Sequence, residues 1–116
     1  MLVAVVPARR RRPHMDVLIR IKRAVLAGRY AFSEKARLEM DTDNLTELDV
    51  AESILNAVAI YKRLRSSSPS RSNRREYLYV IQSTNLEGLL INTKGKLLQA
   101  AGIETYYFLV SSKRAM

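Results

Sequence analysis

The spacing of apolar residues changes near residue 57, and that change limits what the chain can fold into more than any other feature. Before it, apolar side chains recur every three or four residues, as in Leu18, Ile21, Ala24 and Val25, or Leu48, Ala51, Ile54 and Leu55. That is the period of one helical face. After it, β-branched and aromatic residues collect in short runs, Val58–Leu64, Tyr77–Ile81, Leu89–Thr93 and Thr105–Val110, a composition suited to strands. The connections between these runs are too short for crossover helices, so consecutive strands are expected to pair antiparallel. The expected fold class is α+β, with two or three N-terminal helices packed on one face of an antiparallel sheet of about four strands.

Local signals bound the elements. Asp16 is a suitable N-cap for a helix over Val17–Ala27, and Gly28 supplies a left-handed stop. Tyr30–Phe32 reads as a connector. Ser33 caps a second helix that buries Ala36 and Met40, and the polar cluster Asp41, Thr42, Asp43 and Asn44 ends it. Thr46 and Asp49 have the spacing of a capping box, with Asp in place of Glu or Gln. Turn signals follow at Asn85–Gly88 and Lys94–Lys96. Thr93-Lys94-Gly95-Lys96 lacks the spacing of a phosphate-binding P-loop and reads as a basic β-turn. Tyr106, Tyr107 and Phe108 read as strand packing residues.

A chain of 116 residues with 47% hydrophobic content fits one domain with a single core. Residues 1–14, with Arg9–Arg12 before Pro13, read as a basic arm outside that core, either a start-site extension or a nonspecific phosphate-binding tail; residues 15–116 form the domain. There is no cysteine, and the one histidine, His14, lies beside the arginines. Disulfides, thiol nucleophiles, zinc sites and histidine catalysis are therefore not expected, nor is any metal or cofactor. No apolar run approaches the roughly 20 residues that span a bilayer, and the apolar Met1–Val6 precedes the arginines, the reverse of a signal peptide. A cytoplasmic protein without a membrane partner is expected.

The net charge is +9, and it is unevenly placed. Residues 1–30 carry eight basic and one acidic side chain, residues 31–61 two and seven, and residues 62–116 ten and three. Such a distribution attracts a polyanion to one region and repels it from another. The basic loop Arg65–Arg75 joins serines to Arg71, Arg74 and Arg75, a composition suited to phosphate contacts, although an exposed soluble hairpin loop has the same composition. Lys62, Arg63 and Arg65 enter the loop and Tyr77 leaves it, with Tyr79 two residues on, so cations and stacking surfaces for single-stranded bases meet at one end of the sheet. By strand alternation Lys62 shares a side with Val58, Ile60 and Leu64. It is either a general base held against apolar neighbours or a lysine snorkelling from the sheet edge. Lys113 and Arg114 follow the last run, as a solvated terminus or as cations brought to the same groove. The acidic residues of the second and third helices form no persuasive metal or glycosidase pair.

Ala27-Gly28-Arg29-Tyr30 leading to Phe32-Ser33, Ala59-Ile60-Tyr61-Lys62-Arg63-Leu64, Tyr77-Leu78-Tyr79-Val80 and Val110-Ser111-Ser112-Lys113 occur in an order that resembles the MqsR and RelE-like toxin superfamily over about residues 15–116. They resemble especially an uncharacterised branch found beside zinc-finger antitoxins. The resemblance implies a RelE-like fold and a toxin of a bacterial type II toxin–antitoxin pair that cleaves messenger RNA without a metal. It implies catalytic roles for Lys62, Tyr77 and Lys113 and a zinc-ribbon or helix-turn-helix antitoxin as partner, while the charge and aromatic pattern itself makes Arg63, Arg65, Arg71, Arg74, Arg75, Tyr79 and Arg114 the candidates for phosphate or RNA contacts. A glutamine of the MqsR pattern has no counterpart here, its place open to Arg71 or Arg74 only by analogy. Glu34 and Lys35 stand where the wider branch often has a histidine after Phe-Ser.

Cleavage of that kind uses the ribose 2′-hydroxyl as nucleophile. The protein must accept its proton, stabilise charge on the phosphate and protonate the leaving 5′-oxygen. Lys62 is the candidate base. Lys113 with Arg71 or Arg74 is the candidate phosphate clamp, and Tyr77 the stacking group or proton donor. A non-catalytic RNA- or DNA-binding module and a basic domain that recognises an acidic protein are the alternative readings.

Overall fold

The computed structural model describes residues 13–65, 76–100 and 104–115, with side chains from Asp16 onward except at 100 and 104. Three helices, α1 (Pro13–Leu26), α2 (Glu34–Asp43) and α3 (Glu47–Asn56), pack on a sheet of five strands, β1 (Tyr30–Phe32), β2 (Lys62–Arg65), β3 (Tyr77–Thr84), β4 (Leu90–Ala100) and β5 (Glu104–Arg114). The α+β class is as the spacing predicts. The sheet is mixed, however, in the order β1-β5-β4-β3-β2. Tyr30–Phe32, expected as a connector, pairs parallel with Tyr107–Leu109. Three residues are too few for alternation to show in sequence, and their partner lies near the other end of the chain.

Local chemistry sets most helix ends. Gly28 has φ +75°, and the Arg29 amide donates to the Ala24 carbonyl at 2.8 Å, closing α1 through a left-handed residue. The Ser33 hydroxyl accepts from the Ala36 amide at 3.0 Å. Thr46 and Asp49 form the reciprocal capping box, the Asp49 amide donating to the Thr46 hydroxyl at 3.0 Å and the Thr46 amide to the Asp49 carboxylate at 2.9 Å. Helix α1 begins earlier than expected, at Pro13, so Pro13 and His14 belong to it and not to the arm. Asp16 lies in the first turn, where its charge still suits the helix dipole.

The core contains the α1 stripe Leu18, Ile21, Ala24 and Val25, together with Ala36 and Met40 from α2, and Ile81, Ile91, Tyr107 and Leu109 from the sheet. In α3 the buried face is rotated from the expected one: Val50, Ser53 and Ile54 are buried, while Leu48 is 66% exposed. Ser53 tolerates burial because its hydroxyl donates to the Val50 carbonyl at 2.7 Å. Lys22 ties α1 to the end of α3, donating to the carbonyls of Leu55 and Ala57 at 2.9 and 2.5 Å.

Two expectations for the strands are corrected. The first run forms a strand only over Lys62–Arg65; Val58 is 86% exposed. Lys94–Lys96 is no turn but part of β4, which has a register shift between Lys94 and Gly95. Gly95 serves packing instead: a Cβ there would lie 2.5 Å from Cζ of Tyr107 and 2.9 Å from the Phe108 carbonyl oxygen.

Helix α2 completes an edge of the sheet. The Ser33 hydroxyl donates to the Val110 carbonyl at 2.9 Å, the Ser112 amide donates to the Glu39 carboxylate at 3.1 Å, and the Arg114 amide to Asp43 at 2.8 Å. The two carboxylates are one helical turn apart, and the two amides are two positions apart along the strand. The two spacings are similar, about 6 Å along a helix and about 7 Å along a strand, so α2 satisfies edge groups that β1 is too short to reach.

Candidate nucleic-acid interface

Register divides the predicted site residues between the two faces of the sheet. Lys62 pairs with Val80, Arg63 with Tyr79, Leu64 with Leu78 and Arg65 with Tyr77. Directly paired residues share a face and successive residues alternate. Arg63, Arg65, Tyr77 and Tyr79 therefore share the face on which α1 and α3 pack, and Lys62 lies on the opposite face. The sequence expectation that Lys62 and Tyr77 meet in one groove is thus not met on either single face. Lys62 is level with Val80 and Tyr77 with Arg65, three residues apart along the hairpin.

On the helix-bearing face the Arg63 guanidinium carbon stands 4.2 Å from the Tyr77 ring centroid, a cation–π stack. Tyr79 is half-buried and packs on the core. Burial raises its pKa, against the opposing charges of Arg63 and of Arg20 from α1, so at neutral pH its hydroxyl is a proton-bearing donor. Arg20, Arg63 and Arg65 are all exposed. They surround two tyrosines at the base of the hairpin, which leads directly into residues 66–75. Arg71, Arg74 and Arg75 lie outside the described residues.

Lys62 is not held among apolar side chains. It is exposed, with Nζ 6.0 Å from the Tyr61 ring centroid. Of the neighbours expected to desolvate it, Ile60 is in the core and Val58 is in solvent. The chain adopts strand geometry only at Lys62, so alternation cannot be carried back to those residues.

Lys113 lies within β5 and not after it, paired with Asn92. Three strand spacings separate β5 from β2, about 14 Å. Lys113 instead borders a surface depression along α2 lined by Glu34, Lys35, Leu38, Glu39, Thr42 and Asp43. Burial, the largest single influence, pushes the Glu39 pKa up, but the hydrogen bonds from Ser111 and Ser112 and the charges of Lys35 and Lys113 together outweigh it and lower the pKa. This acidic surface disfavours phosphate. Arg114 is exposed beside it, its amide engaged by Asp43.

Sequence reasoning missed Arg20, whose place on the margin of the α1 stripe hid its proximity to Tyr79. It also missed Lys94 and Lys96, whose i, i+2 spacing is that of one strand face. Among the described residues no three His, Cys, Asp or Glu side chains gather as a metal-ligand set, and no helix is long and apolar enough to cross a membrane. No known protein family, curated protein or solved structure matches the chain.

Proposed function

We propose that this protein is an RNA-directed toxin of a bacterial toxin–antitoxin pair, which holds single-stranded RNA at the base of the β2–β3 hairpin and cleaves it by 2′-hydroxyl attack. The observation that carries the reading is the Arg63–Tyr77 stack beside Tyr79 and Arg20. Guanidinium groups bind phosphate oxygens, and tyrosine faces stack on unpaired bases. The MqsR and RelE-like resemblance adds cleavage to binding. In that chemistry Arg63 and Arg20 neutralise the phosphate, the protonated Tyr79 hydroxyl donates toward the leaving oxygen, and Lys62 reaches the 2′-hydroxyl of a strand that bends over the β2 edge. Lys113 takes no part at the same phosphate. An antitoxin of this toxin would cover the same basic end.

A non-catalytic RNA-binding module is the second reading, and the placement of Lys62 and Tyr77 on opposite faces favours it. One experiment separates the two: the purified protein is incubated with single-stranded RNA in the presence and absence of EDTA and the product ends are analysed. Fragments ending in 2′,3′-cyclic phosphate in EDTA support the toxin. Binding without cleavage supports the module. Stacking of one base is worth about 1–3 kcal/mol, so Tyr77→Ala should weaken binding by roughly that amount. Undiminished binding by both Tyr77→Ala and Arg63→Ala removes this surface from either reading.

A further inference from the structure

The face of the sheet turned away from α1 and α3 carries a pattern of its own. Lys62, Val80 and Lys94 are successive cross-strand partners on β2, β3 and β4. On the same side Lys96 pairs with Phe108 and Leu98 with Tyr106. The core residues of these strands, Ile81, Ile91, Tyr107 and Leu109, point the other way by alternation. Lys62 is exposed, and Lys94, Lys96 and Phe108 are partly exposed. Glu76 engages Lys96 at 3.4 Å, and Lys113, which shares this face through its partner Asn92, acts on Glu39 of α2; Lys62 and Lys94 have no salt bridge among the described residues.

Lys94 and Lys96 are one strand repeat apart, about 7 Å, and Lys62 stands two strands from Lys94, about 10 Å. Between and beside them lie Leu78 and Phe108, both partly exposed, above the buried Val80. A flat surface of spaced ammonium groups over an apolar and aromatic floor suits a flexible polyanion with exposed rings: the phosphates meet the lysines and an unpaired base lies on Phe108. A duplex, whose bases are stacked inward, would use only the charges.

We propose that this helix-free face is a second binding surface for single-stranded RNA, with Lys62 and Lys94 on phosphates and Phe108 against a base. The proposal rests on the reading of the protein as RNA-binding and extends it from Lys62, already placed at the 2′-hydroxyl, to Lys94 and Phe108, which have no role in the first surface. Arg63 follows Lys62 at the sheet edge, so one strand of RNA that turns over β2 meets both surfaces.

The test uses a fluorescein-labelled single-stranded oligonucleotide with a 2-aminopurine, titrated with the full chain across a salt series. Each phosphate contact to a single strand contributes about 0.7 to the slope of log K against log salt. The double variant Lys62→Gln/Lys94→Gln should therefore flatten the slope by about 1.4. Glu76→Gln, which frees Lys96, should steepen it. Phe108→Leu keeps apolar bulk in the strand and should reduce quenching of the 2-aminopurine while leaving the slope unchanged. An unchanged slope in the double variant, with binding weakened in Arg63→Ala, overturns this second surface and leaves the first. Unchanged binding in both overturns both. Loss of poly-glutamate binding in the double variant, with oligonucleotide binding intact, also overturns it.

Discussion

Replacing Gly95 with alanine is expected to destabilise the fold more than any other single-methyl addition in the sheet. Tyr107 is fully buried, and its ring lies across Gly95 so closely that a Cβ would sit 2.5 Å from Cζ and 2.7 Å from the hydroxyl oxygen. Carbon atoms in good contact are about 3.5–4.0 Å apart, so about 1 Å of overlap must be relieved. The ring has no solvent-exposed side toward which to move. The Phe108 carbonyl, 2.9 Å from the same Cβ, belongs to the strand backbone beside it. Overpacking of this kind costs about 1–3 kcal/mol, and the preference of an ordered strand for alanine over glycine offsets about 0.5–1 kcal/mol. A net loss of about 1–2 kcal/mol follows, measurable as a lower urea midpoint at constant m-value. The Tyr107→Leu change in the same background makes room for the methyl group, and a double-mutant cycle should return a favourable coupling of about 1 kcal/mol. A Gly95→Ala protein with a wild-type midpoint, or additive effects of the two changes, would refute the argument.

Other perturbations address separate parts of the molecule. Tyr107→Phe should keep the unfolding free energy from urea titration within about 0.5 kcal/mol of wild type, because the hydroxyl makes no hydrogen bond among the described residues. Thr46→Ala removes the acceptor of the Asp49 amide and should cost about 1 kcal/mol, read by thermal unfolding. Glu39 and Asp49 both have folded pKa values lowered from the ordinary carboxylate range. Their contribution to stability is complete above the unfolded values and is lost as pH falls through the lowered folded ones. The urea midpoint should therefore fall on acidification below about pH 4–5, and Glu39→Gln should reduce the fall; an equal fall in the variant removes Glu39 from the cause. If the protein cleaves RNA, Lys62→Ala should slow cleavage by about 10²–10⁴-fold with far-ultraviolet circular dichroism unchanged, and full activity in the folded variant rules out Lys62 as the base.

Local chemistry was sufficient for much of this protein. The change from helical to strand spacing, the Gly28 stop, the Ser33 cap and the Thr46–Asp49 box each depend on residues within a few positions of one another, and each is present in the structure. The gathering of Arg63, Arg65, Tyr77 and Tyr79 at one hairpin was likewise legible, because a hairpin pairs residues close in sequence. Tertiary structure decided what depends on register and on distant partners. One residue of register determines which sheet face a side chain occupies, and it placed Lys62 opposite Tyr77. The parallel pairing of β1 joins residues more than 70 positions apart and was invisible to any local pattern. The same applies to Glu39 and Asp43, acidic residues of α2 with no site legible in sequence until β5 brings its amides to them, and to Gly95, a turn signal in sequence that became the space required by a buried tyrosine ring.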